Sequence, residues 1–385
     1  MKWSLKIGRI LGIDVYIHAT FLLLLGFVGV AHWLAGRNLE TALTGVLFFG
    51  GIFLCVLLHE YGHALAARRF GIATRDITLL PIGGLARLER MPDKPSQELV
   101  VAIAGPLVNV VIAVSLFLGL YLSGHWQPLS SLTTTSGNLV ERLLAVNVFL
   151  VLFNLLPAFP MDGGRVLRSL LAMRMQYARA TRIAARIGQG MAALFGFAGL
   201  FGNPMLLLIA LFVWIGAAQE AAAVEMKAGL AGYLVRDAMQ SEVRTLSPHD
   251  TLREGVGALL AGAQQDFPVV ENDRVVGMLA RHDLLKGIHE RGEFATVASV
   301  MQREVEPLDA NELLDWAVGH LNPDRGLSRP VLREGRLVGL FTAENLGEFY
   351  MIRRALVERD RNRPSAPTMV RIPQVAPSLS RQSGV

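Results

Sequence analysis

The sequence predicts a polytopic α-helical membrane protein of about six transmembrane helices, followed by a water-soluble α/β module built from one unit repeated. Three observations predict it. Charge is unevenly spread over the 385 residues: positions 1–225 hold 17 Lys/Arg and 11 Asp/Glu, whereas positions 226–385 hold 20 and 21. The first part is too poor in charge for an ordinary soluble chain, and the second has the usual fraction. Apolar stretches long enough to cross about 30 Å of hydrocarbon occur only in the first part. The second part aligns with itself without a gap. With 52% hydrophobic residues the chain is neither disordered nor collagen-like. The net charge of +5 comes from the membrane part, so it reports orientation. A lipid bilayer is the expected surroundings and nucleic acid is not an expected partner.

The expected spans are 16–35, 43–67, 98–123, 140–157, 184–201 and 204–224. Lys2, Lys6 and Arg9 precede the first as they would a signal peptide. Asp14 and His18 interrupt its start, however, and no A-x-A cleavage site follows, so it reads as a retained anchor. Gly202-Asn203-Pro204 is a tight turn between the last two. Basic residues collect in the N-terminal tail, in 68–97 and in 158–183, while 124–139 is uncharged. By the positive-inside bias the basic loops are cytoplasmic, Arg165 and Arg168 mark the cytoplasmic rim, and six crossings leave both termini inside. The expected location is the cell (inner) membrane, multi-pass.

One constant shift along the chain lays Pro268-Val269-Val270 over Pro330-Val331-Leu332 and Val276-Gly277-Met278-Leu279 over Val338-Gly339-Leu340-Phe341. A single offset sustained over this length means a duplicated unit. Each copy reads as an amphipathic helix, two short strands joined by a polar turn, and another helix. The pattern resembles a tandem pair of CBS domains. The expected boundaries are 1–225 for the membrane domain, 226–235 for a linker, 236–291 and 298–352 for the two CBS domains, and 360–385 for a disordered tail rich in Pro, Ser and Arg.

The second span contains His59-Glu60-Tyr61-Gly62-His63, an HExxH pattern. Residues four apart share a helix face, so His59 and His63 can grip one Zn²⁺ while Glu60 reaches a metal-bound water. A chance match is the rival reading, but two histidines and a glutamate at the end of a span are costly unless they face a polar cavity. A catalytic zinc needs a third protein ligand and an open position. Cys55 and His63 lie eight residues, about 12 Å, apart along one helix, too far to share an ion, so Cys55 reads as a packing residue. The better third ligand is Asp162, in Asn154-Leu155-Leu156-Pro157-Ala158-Phe159-Pro160-Met161-Asp162-Gly163-Gly164, where prolines and glycines break the fourth span.

His59-Glu60-x-x-His63 together with N-x-x-P-x-x-P-x-D-G-G resembles the site-2 protease family of intramembrane zinc metalloproteases (peptidase family M50), in the branch that carries CBS domains. The resemblance covers the chain to about Tyr350. It implies zinc held by His59, His63 and Asp162, Glu60 as general base, and Asn154 engaging the substrate. Gly105-Pro106 with Asn109, and Pro81-Ile82-Gly83-Gly84, also resemble family elements. The latter would lie in a hairpin that offers a strand edge, with Gly83 and Gly84, to a substrate unwound from its helix. The implied substrate is a membrane-spanning protein segment cut in regulated intramembrane proteolysis, and the implied CBS roles are regulation and assembly into a homodimer or higher oligomer. Nucleotide-binding CBS domains commonly carry Thr/Ser followed three residues later by Asp. The first copy keeps Asp283 without the hydroxyl and the second keeps Thr342 with Asn345 in place of the acid, so any adenine nucleotide would bind weakly.

Asn147 reads as an interhelical polar contact. The competing function is a CBS-gated transporter or channel with a structural metal site, which would spread charged residues over several spans. A gluzincin-type protease would need a downstream glutamate ligand, and Glu98 and Glu141 lack that context.

Overall fold

The computed structural model describes residues 3–81, 83–92, 94–124, 138–320 and 328–362. The chain forms two compact units, Met1–Ala228 and Gly229–Val385.

The first unit opens with two strands, β1 (Ser4–Ile10) and β2 (Ile13–His18), so the membrane segment expected from residue 16 begins later, at α1 (Ala19–Gly36). The reason is local: Ile13 and Val15 alternate with polar neighbours and are buried at strand period, and His18 accepts from the Thr20 backbone N–H to start the helix. The helix α2 (Leu39–Arg68) is 30 residues long, and Asn38 caps it by accepting from Thr41 N–H. A hairpin follows, β3 (Thr74–Leu80) and β4 (Gly83–Leu88), at the place expected from the sequence. The four strands form one sheet in the order β1-β2-β3-β4, with β2 and β3 parallel and the other pairs antiparallel, so β4 lies at an edge. Ile13, Val15 and Ile77 pack the sheet onto Tyr61 and Ala64 of α2, and the Tyr61 hydroxyl donates to Ile10 O at 3.1 Å. The sheet is thereby seated on the HExxH turn.

Next come α3 (Pro95–Leu122), α4 (Leu139–Asn154), α5 (Asp162–Ala172), α6 (Tyr177–Phe201) and α7 (Met205–Leu230). Among the described residues five helices, α1, α2, α3, α6 and α7, are long and apolar enough to cross a membrane. The expected fourth span ends three residues early, at Asn154, leaving a helix of 16 residues, about 24 Å. Pro157 and Pro160 explain the stop, since each lacks an N–H donor and disfavours helix in the residue before it. Leu23, Phe27 and Phe201 are among the large apolar side chains left exposed on the long helices, as lipid contact requires. The segment 125–137 lies outside the described residues.

In the second unit α8 (Leu252–Leu260), β5 (Phe267–Glu271), β6 (Arg274–Leu279) and α9 (Arg281–Arg291) recur as α10 (Leu314–His320), β8 (Arg329–Arg333), β9 (Arg336–Phe341) and α11 (Ala343–Asn362), and the additional strand β7 (Leu308–Asp309) pairs with β8. Every recurring element starts at the same offset from its counterpart, and the burial patterns of paired strands are identical. Thr251 caps α8, and its N–H and hydroxyl, both bonded to the Glu254 carboxylate, hold that group below the usual range. Leu230 and Val235, from the stretch read as a linker, are buried in the core around the second copy's hairpin with Leu314, Val331 and Phe341. The first copy is filled from Leu246 to Met301. The stretch is apolar because it completes a core. Of the expected tail, residues up to Asn362 belong to α11 and 363–385 lie outside the described residues.

Candidate metal centre

His59 and His63 lie one turn apart on the buried face of α2, and the rings meet edge to face with centroids 4.7 Å apart. Asp162 enters from the first turn of α5, 99 residues away in sequence. Its Oδ2 is 3.2 Å from His59 Nε2 and 3.1 Å from His63 Nε2, and the two Nε2 atoms are 3.1 Å apart. The donor set can hold a metal ion. Tetrahedral zinc with bonds of about 2.0 Å places its ligand atoms about 3.3 Å apart, close to these separations. Chemistry supports the same fit. His63 Nδ1 donates to the Val101 carbonyl at 2.7 Å, which leaves the Nε2 lone pair facing a carboxylate oxygen. Acceptors converging in a buried space are costly unless a cation or a shared proton lies between them, and a metal ion meets that need for all three at once.

Gly105 makes the room. A Cβ at this position would collide with His63 Nε2 and lie 2.8 Å from His59 Nε2. A side chain here would occupy the space into which the ligand atoms point. Gly105 therefore lets α3 pass the centre without filling it. Its neighbour in function is Gly84, where a Cβ would come within 2.6 Å of Glu60 Cγ, so the edge strand β4 runs directly against the Glu60 side chain. Gly83 begins β4 at a φ of +137°, a conformation that glycine adopts without strain.

The loop between α4 and α5 delivers Asp162. Ala158, Phe159 and Met161 are buried in it, and Phe159-Pro160 is a cis peptide. The loop is seated on small residues of α6 and α7: Phe159 packs on Ala184, Ala185 and Ala217, while Ala158 and Met161 pack on Ala192 and Val213. Gly216 takes part in the same seat, since a Cβ there would lie 2.6 Å from Pro160 Cδ. Small residues at helical spacing are the signal that marks such a close approach in a membrane bundle. Asn154, half-buried, is the last residue of α4, immediately before this loop.

Arg168 is not at an exposed rim. It is fully buried, forms ion pairs with Glu98 of α3 and Glu220 of α7, and lies over the rings of Phe159 and Tyr177. The amphipathic α5 turns this residue inward because two carboxylates await it, and it ties the Asp162 helix to the helix that carries Gly105 and Val101. Glu98 is thus a structural partner, and Glu141 completes a capping box with Asn138. Neither approaches the role a gluzincin glutamate would have. Cys55 is buried and accepts from Asn147 Nδ2 at 3.3 Å.

In the second unit a cavity of about 510 Å³ opens between Gln240, Asp266, Ser328, Thr342, Asn345 and Glu348. Thr342 is occupied at the start of α11: its hydroxyl donates to Asn345 Oδ1 at 2.7 Å and accepts from Asn345 N–H at 3.1 Å. The counterpart space beside Gln302 and Arg329 is only about 20 Å³, and Asp283 accepts from Gln302 Nε2 at 2.7 Å.

Comparison with known proteins identifies the family. The family model described as Peptidase family M50 matches residues 47–195, which include both histidines, Glu60, Gly105 and Asp162. A zinc metalloprotease of Methanocaldococcus jannaschii is 32% identical over 352 residues, covering 90% of this chain and 96% of that one. The chain belongs to peptidase family M50. Stage IV sporulation protein FB of Bacillus subtilis is 29% identical to this M50 member over 155 residues, 40% of this chain and 50% of its own. A solved structure described as a site-2 protease from M. jannaschii is 36% identical, covering 57% of this chain and 95% of that one at a TM-score of 0.41. A CBS-domain model matches residues 235–290. This M50 protein is a multi-pass membrane zinc metalloprotease with a C-terminal CBS domain pair.

Proposed function

We propose that the M50 centre of this chain hydrolyses peptide bonds within membrane-spanning segments of other proteins. The observation that carries the proposal is the convergence of His59, His63 and Asp162 beside Glu60, inside a bundle whose helices are long enough to cross a bilayer. His59, His63 and Asp162 would hold one zinc, which supplies Lewis acidity and an acidified water when bound. Glu60 takes the proton of the attacking water at its carboxylate and returns it to the leaving amine. The position of β4 at the edge of the sheet supports substrate pairing, because an edge strand can take up an extended segment and Gly84 brings this one against the Glu60 side chain. Gly83, Gly84 and Asn154 are the residues assigned to the substrate. The test is purified protein assayed for bound zinc and for cutting of a glycine-containing transmembrane peptide. Stoichiometric zinc, cutting abolished by a chelator and restored by zinc are expected. Zinc without cutting overturns the reading in favour of a structural metal.

The orientation proposed has α4 as a short sixth crossing, both termini in the cytoplasm and the chain in the cell membrane. Its support is the basic loops of 68–97 and 158–183. A reporter active only in the cytoplasm, fused at residue 226, is expected to be active, and one fused in the turn at 202–204 to be silent. The reverse pattern inverts the topology. The alternative fusion point Thr134 lies outside the described residues.

The CBS pair is assigned a regulatory role, with assembly of a homodimer or higher oligomer through it. The cavity beside Thr342 is large enough for a small ligand and the one beside Gln302 and Arg329 is not, so a single weak adenine-nucleotide site per chain is expected. Calorimetric titration of ATP and AMP into the full-length protein tests this. No heat at millimolar ligand removes the nucleotide and leaves a module for assembly or partner docking.

A further inference from the structure

The metal centre is backed by a hydrogen-bond relay that runs through two buried asparagines and ends on a main-chain carbonyl. His59 Nδ1 lies 2.5 Å from Asn109 Oδ1, Asn109 Nδ2 lies 2.8 Å from Asn147 Oδ1, and Asn147 Nδ2 lies 2.9 Å from Leu143 O. Both asparagines are fully buried. The relay links α2, α3 and α4.

Its polarity is set from the far end. A carboxamide has one accepting end and one donating end, and a carbonyl oxygen can only accept. Leu143 O therefore fixes Asn147 with Nδ2 toward α4 and Oδ1 toward α3. That oxygen needs a donor, which fixes Asn109 with Nδ2 toward it and Oδ1 toward His59. An amide oxygen facing His59 Nδ1 requires the proton to be on Nδ1. His59 Nε2 then carries a lone pair, and it is this atom that lies 3.1 Å from His63 Nε2 and 3.2 Å from Asp162 Oδ2. The Val101 carbonyl achieves the same for His63 in a single step.

We propose that Asn147 is a positioning residue for metal binding: acting through Asn109, it holds His59 in the tautomer whose Nε2 can ligate zinc. The inference rests on the metal reading of His59, His63 and Asp162. Without Asn147 the Asn109 side chain is free to turn over and present its N–H₂ to His59 Nδ1. That arrangement favours the other tautomer, with a proton on Nε2 where the ion must sit. Histidine ligands are oriented in this way by the group bonded to their second nitrogen, and losing such a group costs about 10–100-fold in metal affinity.

The test uses the full-length protein in detergent, with zinc affinity measured by chelator competition and the His59 tautomer read by ¹⁵N NMR of histidine-labelled, metal-free protein. Asn147→Leu removes the partner of Asn109 and is expected to weaken zinc about 10–100-fold and to shift the His59 ¹⁵N signals toward the Nε2–H form. Asn147→Asp can still accept from Asn109 Nδ2, so it is expected to keep the wild-type tautomer and an affinity closer to wild type than to the leucine variant. Thermal unfolding of each metal-free variant is followed in parallel. Lower thermal stability with unchanged zinc affinity and unchanged ¹⁵N signals makes Asn147 merely structural and overturns the proposal. Equal zinc loss in both variants overturns it as well, because polarity would then not be what matters. A wild-type protein that binds no zinc overturns the metal reading and this inference together, whereas wild-type binding matched by Asn147→Leu overturns this inference alone.

Discussion

Replacing Glu60 by Gln is expected to leave zinc bound at full stoichiometry and to lower cleavage of a transmembrane substrate by about 10²–10⁴-fold, the range a positioned general base supplies. The substitution keeps the shape that β4 packs against at Gly84, so the strand edge stays where it is. The proposed ligands are untouched, since His59, His63 and Asp162 make a possible metal-holding group without Glu60. What disappears is the carboxylate proposed to take a proton from water and give it to the leaving nitrogen. Bound zinc by elemental analysis and cleavage rate under single-turnover conditions check the two halves separately. Normal turnover by the variant would remove Glu60 from the chemistry.

Gly105→Ala is expected to abolish zinc binding and cleavage together, with affinity falling by about 100-fold or more, at the upper end of what perturbing a ligand environment costs. In an isolated helix the change would stabilise by about 1 kcal/mol. Here the new methyl meets the Nε2 atoms of both histidines, and those atoms cannot retreat without breaking the bonds from Nδ1 to Asn109 and Val101. Helix content and expression are expected to hold, which separates loss of the centre from loss of the fold. Gly50→Ala on α2 is the control, because a Cβ at Gly50 meets nothing within 4 Å. Retention of stoichiometric zinc of unchanged affinity by Gly105→Ala would mean that the ion sits elsewhere.

The two variants differ in what the sequence could have said about them. HExxH announces itself because its residues share one turn of one helix, and helical spacing is a local property. The duplicated unit is legible for a similar reason, as a single offset along the chain carries every element of one copy onto the other. The long apolar runs mark the helices, and the prolines and glycines before Asp162 mark a break that must serve some purpose. The HExxH turn, the break before Asp162 and the duplicated unit were thus legible along the chain, whereas the hairpin at 74–88 was expected only from the family resemblance.

What the sequence left open concerns contacts between elements far apart in the chain. Ile13 and Val15 read as the approach to a span, but the parallel partner that makes them a strand, β3, arrives only after α1 and α2 have intervened. Arg168 reads as a charged rim residue until Glu98 and Glu220 arrive from α3 and α7 to neutralise it in a buried site. Asn147 shows no more than a polar residue in an apolar helix. Only packing places it against Asn109, and through Asn109 against His59. Chain pattern determined the membrane helices, the duplicated module and the ligand types. The tertiary structure decided which groups stand opposite His59 and His63, because the partner that sets a hydrogen bond's polarity belongs to another helix.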